Sequence, residues 1–134
     1  MEFNESRNIF LQIADWLCDQ ILQEKFAPGE RVPSVRELAE DMEVNRNTVM
    51  RTYSILQDQE ILDNKRGIGF FVAEKAPQKI HHRQKAAFIE HELPLLIHRV
   101  KVLGLSALDL KPLLNILDEN NHKIEHDEKR HTGK

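Results

Sequence analysis

The stretch Pro33–Thr52, PSVRELAEDMEVNRNTVMRT, decides the fold. It reads as two short helices joined by a tight turn. Ser34 and Glu37 have the spacing of a capping box: the serine oxygen accepts from the Glu37 amide, and the Glu37 carboxylate reaches back to the Ser34 amide. Pro33 discourages an earlier helical start. Val35, Leu38, Ala39 and Met42 then share one helical face. Glu43-Val44-Asn45 interrupts the run, and Asn45 is a good N-cap for a second helix from Arg46 to about Gln59. Val49, Tyr53 and Leu56 recur at helical spacing and face inward, leaving Arg46, Asn47, Thr48 and Arg51 outward near its start. This is the geometry of a helix-turn-helix, whose second helix enters the DNA major groove.

Capped amphipathic helices occur in any small helical domain, so charge must discriminate. From Val44 to Gln57 there is no Asp or Glu, although the chain carries 22 acids. An acid-free face bearing Arg46 and Arg51 suits phosphates and guanine edges. After Gln59 the apolar period shortens. Ile61-Leu62-Asp63-Asn64 and Ile68–Val72 flank Lys65-Arg66-Gly67, which predicts a β-hairpin with a cationic tip formed by Lys65 and Arg66.

Three ordered motifs resemble those of GntR-type bacterial transcription regulators. Ala27–Ala39, APGERVPSVRELA, is similar to that family's PGxxLPSxRxLA signature; Asn45–Val49, NRNTV, to the SRxTV that opens its recognition helix; Gly67–Val72, GIGFFV, to its wing sequence GxGTFV. The resemblance spans roughly Ile9–Glu74. The chain departs from the pattern at Asn45, where Ser is usual, at Glu60-Ile61, where Gly follows Glu, and at Phe70, where Thr is common. The resemblance implies a winged helix-turn-helix and a double-stranded DNA operator as partner. It implies DNA-contact roles for Arg36, Arg46, Asn47, Thr48, Arg51 and Gly69.

The expected architecture is α+β, mostly α: a winged helix over residues 1–75, a linker over 76–83, a helical dimerisation tail over 84–122 and a disordered end over 123–134. Met1–Glu5 is expected to fray, and Ser6 to cap a first helix reaching about Lys25 with Ile9, Ile13, Trp16 or Leu17, and Ile21 inward. Phe10 is read as a core residue. Ala27-Pro28-Gly29-Glu30 is a turn, and Arg31-Val32 a brief strand. The linker begins at Pro77 and is basic, with Lys79, His81, His82 and Arg83. A solvated tether is its first reading and contact with the DNA backbone the alternative. The paired histidines lack acids or cysteines at ligand spacing, so no metal site is expected.

In the tail, Ile89, Leu93, Leu96, Val100 and Leu103 form a heptad-like seam. Pro94 must kink or interrupt it. Gly104 fits a helix stop with Leu105 folding back, and Ser106–Asp109 a second capping box ahead of Pro112. Leu110, Leu113, Leu114 and Leu117 make a second apolar stripe. Two short helices cannot cover both stripes alone, so a second copy of the chain is the expected partner. The resemblance implies the same, pointing to the subgroup with a short two-helix dimerisation tail.

Composition narrows the class. A chain of 134 residues with 40% hydrophobic content is expected to form one domain, or a small domain plus an appendage. No run approaches the ~18 apolar residues of a membrane span, and the N-terminus lacks a signal-peptide pattern, so the cytoplasm is expected. The single Cys18 excludes an intramolecular disulfide and a cysteine-based zinc site. Residues 1–75 carry nine basic and fourteen acidic side chains. Bulk charge therefore does not drive DNA binding; a few placed arginines and dimerisation must. The favoured expectation is a homodimeric, sequence-specific regulator, a repressor, whose two winged helices bind the half-sites of an inverted-repeat operator. The alternative is a winged helix that binds another protein and no DNA, and the residues themselves do not give the sign of regulation. An enzyme is not expected: His91, His98, His122, Glu90 and Glu92 follow no ligand or acid–base pattern. No cofactor is expected, and no residue pattern identifies a small-molecule effector.

Overall fold

A computed structural model describes residues 8–132. The fold is mostly helical with one small sheet, a winged helix-turn-helix followed by a helical segment. It divides into two compact units, the first ending at Ala87 and the second beginning at Phe88.

In the first unit α1 spans Ile9–Leu22, α2 Val35–Met42, α3 Arg46–Asp58, β1 Leu62–Lys65, β2 Gly69–Val72 and α4 Ala76–Ala87. Asn8 is the N-cap of α1; Ser6 and Met1–Glu5 lie outside the described residues. Ile13, Leu17 and Ile21 are buried at i, i+4, i+8, while Ile9 is exposed, so the core face starts one turn later than the sequence pattern suggests. The helix stops at Leu22 rather than Lys25. Glu24 adopts a left-handed backbone, and the Lys25 amide turns back to the Gln20 carbonyl.

Both bonds of the Ser34–Glu37 capping box are present: the Ser34 oxygen accepts from the Glu37 amide at 3.1 Å, and Glu37 from the Ser34 amide at 3.4 Å. Leu38 and Ala39 of α2 and Val49, Tyr53 and Leu56 of α3 meet α1 in the core. In the hairpin, Leu62 faces Val72 and Lys65 faces Gly69 across an antiparallel register. A third, irregular edge joins it. Arg31 bridges Phe71, the Val32 amide donates to the Phe70 carbonyl at 3.0 Å, and the Gly29 amide to the Val72 carbonyl at 2.8 Å.

Residues 76–83 are not a tether. They form most of α4, with Ala76 and Ile80 buried one turn apart. Pro77 lies in the first turn, where a missing N–H leaves no helical bond unmade. The Lys79 ammonium pairs with the Glu60 carboxylate just beyond α3, and that contact holds Glu60 below the usual carboxylate range. His81 and His82 are exposed. Residues 84–87 belong to this helix and to the first unit, not to the tail.

The second unit begins with a π-turn at Phe88–Glu92, continues as α5, Leu93–Leu103, and ends in α6, Lys111–Thr132. The π-turn sits just before Pro94, which lacks an amide to continue the ordinary ladder. Ile89 lies in that turn, out of strict phase with Leu93–Leu103. Gly104 is left-handed at φ 63°, and the Leu105 amide returns to the Val100 carbonyl at 3.0 Å. The Ser106–Asp109 box closes with bonds of 2.9 and 3.3 Å. Residues 123–132 are helical rather than disordered. Between Pro112 and Gly133 no Gly or Pro interrupts α6, and adding a residue to an existing helix costs little once the leucine-bearing turns are nucleated.

Candidate nucleic-acid interface

The start of α3 is built by Asn45, whose Oδ1 accepts from the Asn47 amide at 2.8 Å while its carbonyl accepts from Thr48 at 3.0 Å. Arg46 and Asn47 therefore occupy the first turn, where helix amides and the positive end of the helix dipole favour an anion. Asn47, Met50, Arg51 and Ser54 are exposed on the face opposite Val49, Tyr53 and Leu56, and Arg46, one turn before Val49, is exposed at the N-terminal end of the helix. Thr48 departs from its expected outward position. It is half-buried, on the flank of the helix.

Arg51 is held from outside its own helix. Its guanidinium lies 3.9 Å from the centroid of the Phe10 ring on α1. Next to it, buried Thr52 donates its hydroxyl to the Phe10 carbonyl at 2.7 Å, with the Thr48 carbonyl also in reach at 3.2 Å. Phe10 is half-buried and serves as a platform for a cation rather than as core filling. Arg36, on the first turn of α2, is exposed, and its Nε lies 3.4 Å from Glu40. So exposed a pair contributes under ~1 kcal/mol, so Arg36 can exchange its partner for a phosphate at little cost.

The wing is tied to α3 by an edge-to-face contact of Tyr53 with Phe70, centroids 4.9 Å apart. At its tip Lys65 lies 4.3 Å over the Phe71 ring, and exposed Arg66 and Gly67 form the turn, Gly67 at φ 76°. Gly69 has a second reason to be glycine. Its φ is 146°, and a β-carbon there would fall 2.8 Å from Arg31 Nε. Arg31 is exposed and is a cation beside the wing that the sequence reading left out. Its signal was the alternation Arg31 out, Val32 in, immediately before the capping box.

Elsewhere the first unit offers little chemistry. Cys18 borders a groove of about 230 Å³ between α1, α3 and α4. Burial, reinforced by Asp15 and Asp19 and opposed by Arg83, pushes its thiol up to about 12. Among the described residues, no group of three or more His, Cys, Asp or Glu could hold a metal ion. No described helix is long and apolar enough to cross a membrane.

A capped helix-turn-helix with a paired wing defines a winged-helix DNA-binding protein. The profile of the bacterial regulatory proteins of the gntR family matches residues 10–72. The chain is 38% identical over 109 residues to YhcF of Bacillus subtilis, an HTH-type transcriptional regulator, covering 81% of this chain and 88% of that one. It is 30% identical over 102 residues to YtrA of the same organism, an HTH-type transcriptional repressor, covering 76% and 72%. A GntR-family regulator from Bacteroides thetaiotaomicron shares its fold at a TM-score of 0.67 and 42% identity, over 84% of this chain and 98% of that one. The chain belongs to the GntR family and is a DNA-binding transcription regulator, not an enzyme. It is a small member whose C-terminal part is helical.

Proposed function

We propose that this chain is a cytoplasmic, homodimeric repressor that reads an inverted-repeat operator. One observation carries the dimer. No described residue of the second unit is buried, and large apolar side chains there stand in the open, among them Ile89, Leu96, Leu103, Leu113, Leu114 and Leu117. Leu93, Val100 and Leu110 are half-buried. Leu95, Ile97, Val102, Ile116 and Ile124 widen the apolar surface beyond the two sequence stripes. Full burial of such a side chain is worth roughly 1.5–3 kcal/mol, and each of these, being about half exposed, forgoes on the order of half of that. A two-fold partnership of identical surfaces is the simplest cover, and it would set the recognition helices about one DNA turn, ~34 Å, apart.

For the operator, Arg46, Asn47 and Arg51 of α3 supply base-edge and phosphate contacts, with Thr48 at the flank. Arg36, Lys65, Arg66 and the backbone at Gly69 hold the phosphates. Repression is supported by the name borne by YtrA. Selection of bound sequences from random duplex DNA tests the reading. A palindromic consensus is expected, with log K falling by about 0.9 per phosphate neutralised for each unit of log salt. Leu96→Asp is expected to give a monomer by light scattering, with a folded winged helix and weak operator binding. Equal affinity for scrambled duplex, or a monomeric wild type at tens of micromolar, would overturn it.

A further inference from the structure

We infer that Met50 is a specificity-determining residue that reads the C5-methyl group of one thymine in each half-site. The inference rests on the DNA-reading role proposed above for α3. Every other large apolar side chain of α3 is turned in: Val49, Tyr53 and Leu56 are buried and Ile55 is half-buried, whereas Met50 is 46% exposed. It lies one helical turn after Arg46 and three residues after Asn47, within a stretch free of acids. In the described part of the first unit the large exposed apolar residues are Ile9, Met50 and Ile68, and Ile68 sits in the wing turn. Two of the three are thus on the elements that approach DNA.

The chemistry of the position is selective. A thioether donates no hydrogen bond and accepts only weakly, so it cannot satisfy a guanine, adenine or cytosine edge. Set against those edges it would strip their water without replacement. The one apolar group in the major groove is the thymine methyl. An unbranched, polarisable side chain flanked by Arg46 can follow that methyl while the arginine holds a neighbouring phosphate or guanine.

The test removes the methyl and nothing else. Using the consensus selected by the full-length protein, each thymine is replaced in turn by deoxyuridine, and affinities are measured for wild type, Met50→Ala and Met50→Leu. Burying one methyl is worth about a fourfold change in affinity. Wild type should lose about that much per half-site at one thymine. Met50→Ala should bind the unmodified operator correspondingly more weakly and be indifferent to that substitution, while Met50→Leu retains the sensitivity. Alanine at an exposed helical position preserves the fold, and an unchanged urea midpoint verifies it. A consensus whose deoxyuridine scan is flat, or a sensitivity that Met50→Ala leaves intact, overturns this inference while the operator reading stands. Failure of any sequence to be enriched overturns both.

Discussion

Tyr53→Phe isolates one hydrogen bond on which two elements depend. The Tyr53 side chain is fully buried, and its hydroxyl donates to the Pro33 carbonyl at 2.6 Å. That carbonyl lies just ahead of the α2 capping box, so the bond fastens the entry of α2 to the middle of α3. Deleting the hydroxyl removes a bond worth about 0.5–1.5 kcal/mol and leaves a carbonyl whose desolvation costs about 1–3 kcal/mol unless water reaches it. Because Pro33 is half-buried, the expected loss is about 1–2 kcal/mol. For a unit of this size that lowers Tm by about 5–10 °C. Urea unfolding at fixed protein concentration should show a lower midpoint with an unchanged slope. Burial, with Glu37 adding to it, pushes the Tyr53 phenol above its ordinary range. The raised value means its contribution is complete below about pH 10 and is lost as pH climbs past the unfolded phenol. Tyr53 is the chain's one tyrosine, so an ultraviolet absorbance titration reports it alone. Stability of the wild type should fall at alkaline pH more steeply than that of Tyr53→Phe. Equal midpoints for the two proteins, to within ~0.3 kcal/mol, would refute the argument that this bond matters.

Four further outcomes follow from the geometry. Gly69→Ala should destabilise the first unit by about 1–2 kcal/mol, and Arg31→Ala in the same chain should relieve the clash but not the backbone strain; chemical denaturation of the two variants reads the difference. Phe10→Leu should leave the fold intact and weaken operator binding by about 0.5–1 kcal/mol, because Arg51 loses its platform; titration against Arg51→Ala should show that the two changes are not additive. Glu43→Gly should stabilise the protein by up to ~1 kcal/mol in thermal unfolding, since residue 43 already sits at a left-handed φ of 55°. Cys18, with its thiol pushed up to about 12, should be alkylated at pH 8 on the order of a thousandfold more slowly than a free thiol, and unfolding in urea should abolish the protection.

Local chemistry made much of the fold legible. The Ser34–Glu37 box, the Asn45 cap, the Gly67 turn and the Gly104 stop are each written within a few residues, and each forms where its spacing says. What the sequence hid is contact between distant residues. Nothing near Arg51 announces Phe10, and nothing near Gly69 announces Arg31, since these partners lie 41 and 38 positions away. α4 was hidden for a different reason. It shows the core only Ala76 and Ile80, so its period is faint and Pro77 looks like a boundary. The long run of α6 was obscured by its polarity, which signals exposure but not loss of helix.

A C-terminal unit in which none of the described side chains is buried has a consequence for dosage. In the dimeric reading, the species that grips the operator forms only when two chains meet. Well below the dissociation constant of the pair, mass action makes its amount follow the square of the free chain, so halving expression cuts it about fourfold. Operator occupancy would then respond more sharply to the regulator's own synthesis and turnover than it could for a chain that binds DNA alone. Small changes in how fast the protein is made or degraded would reach its target genes amplified.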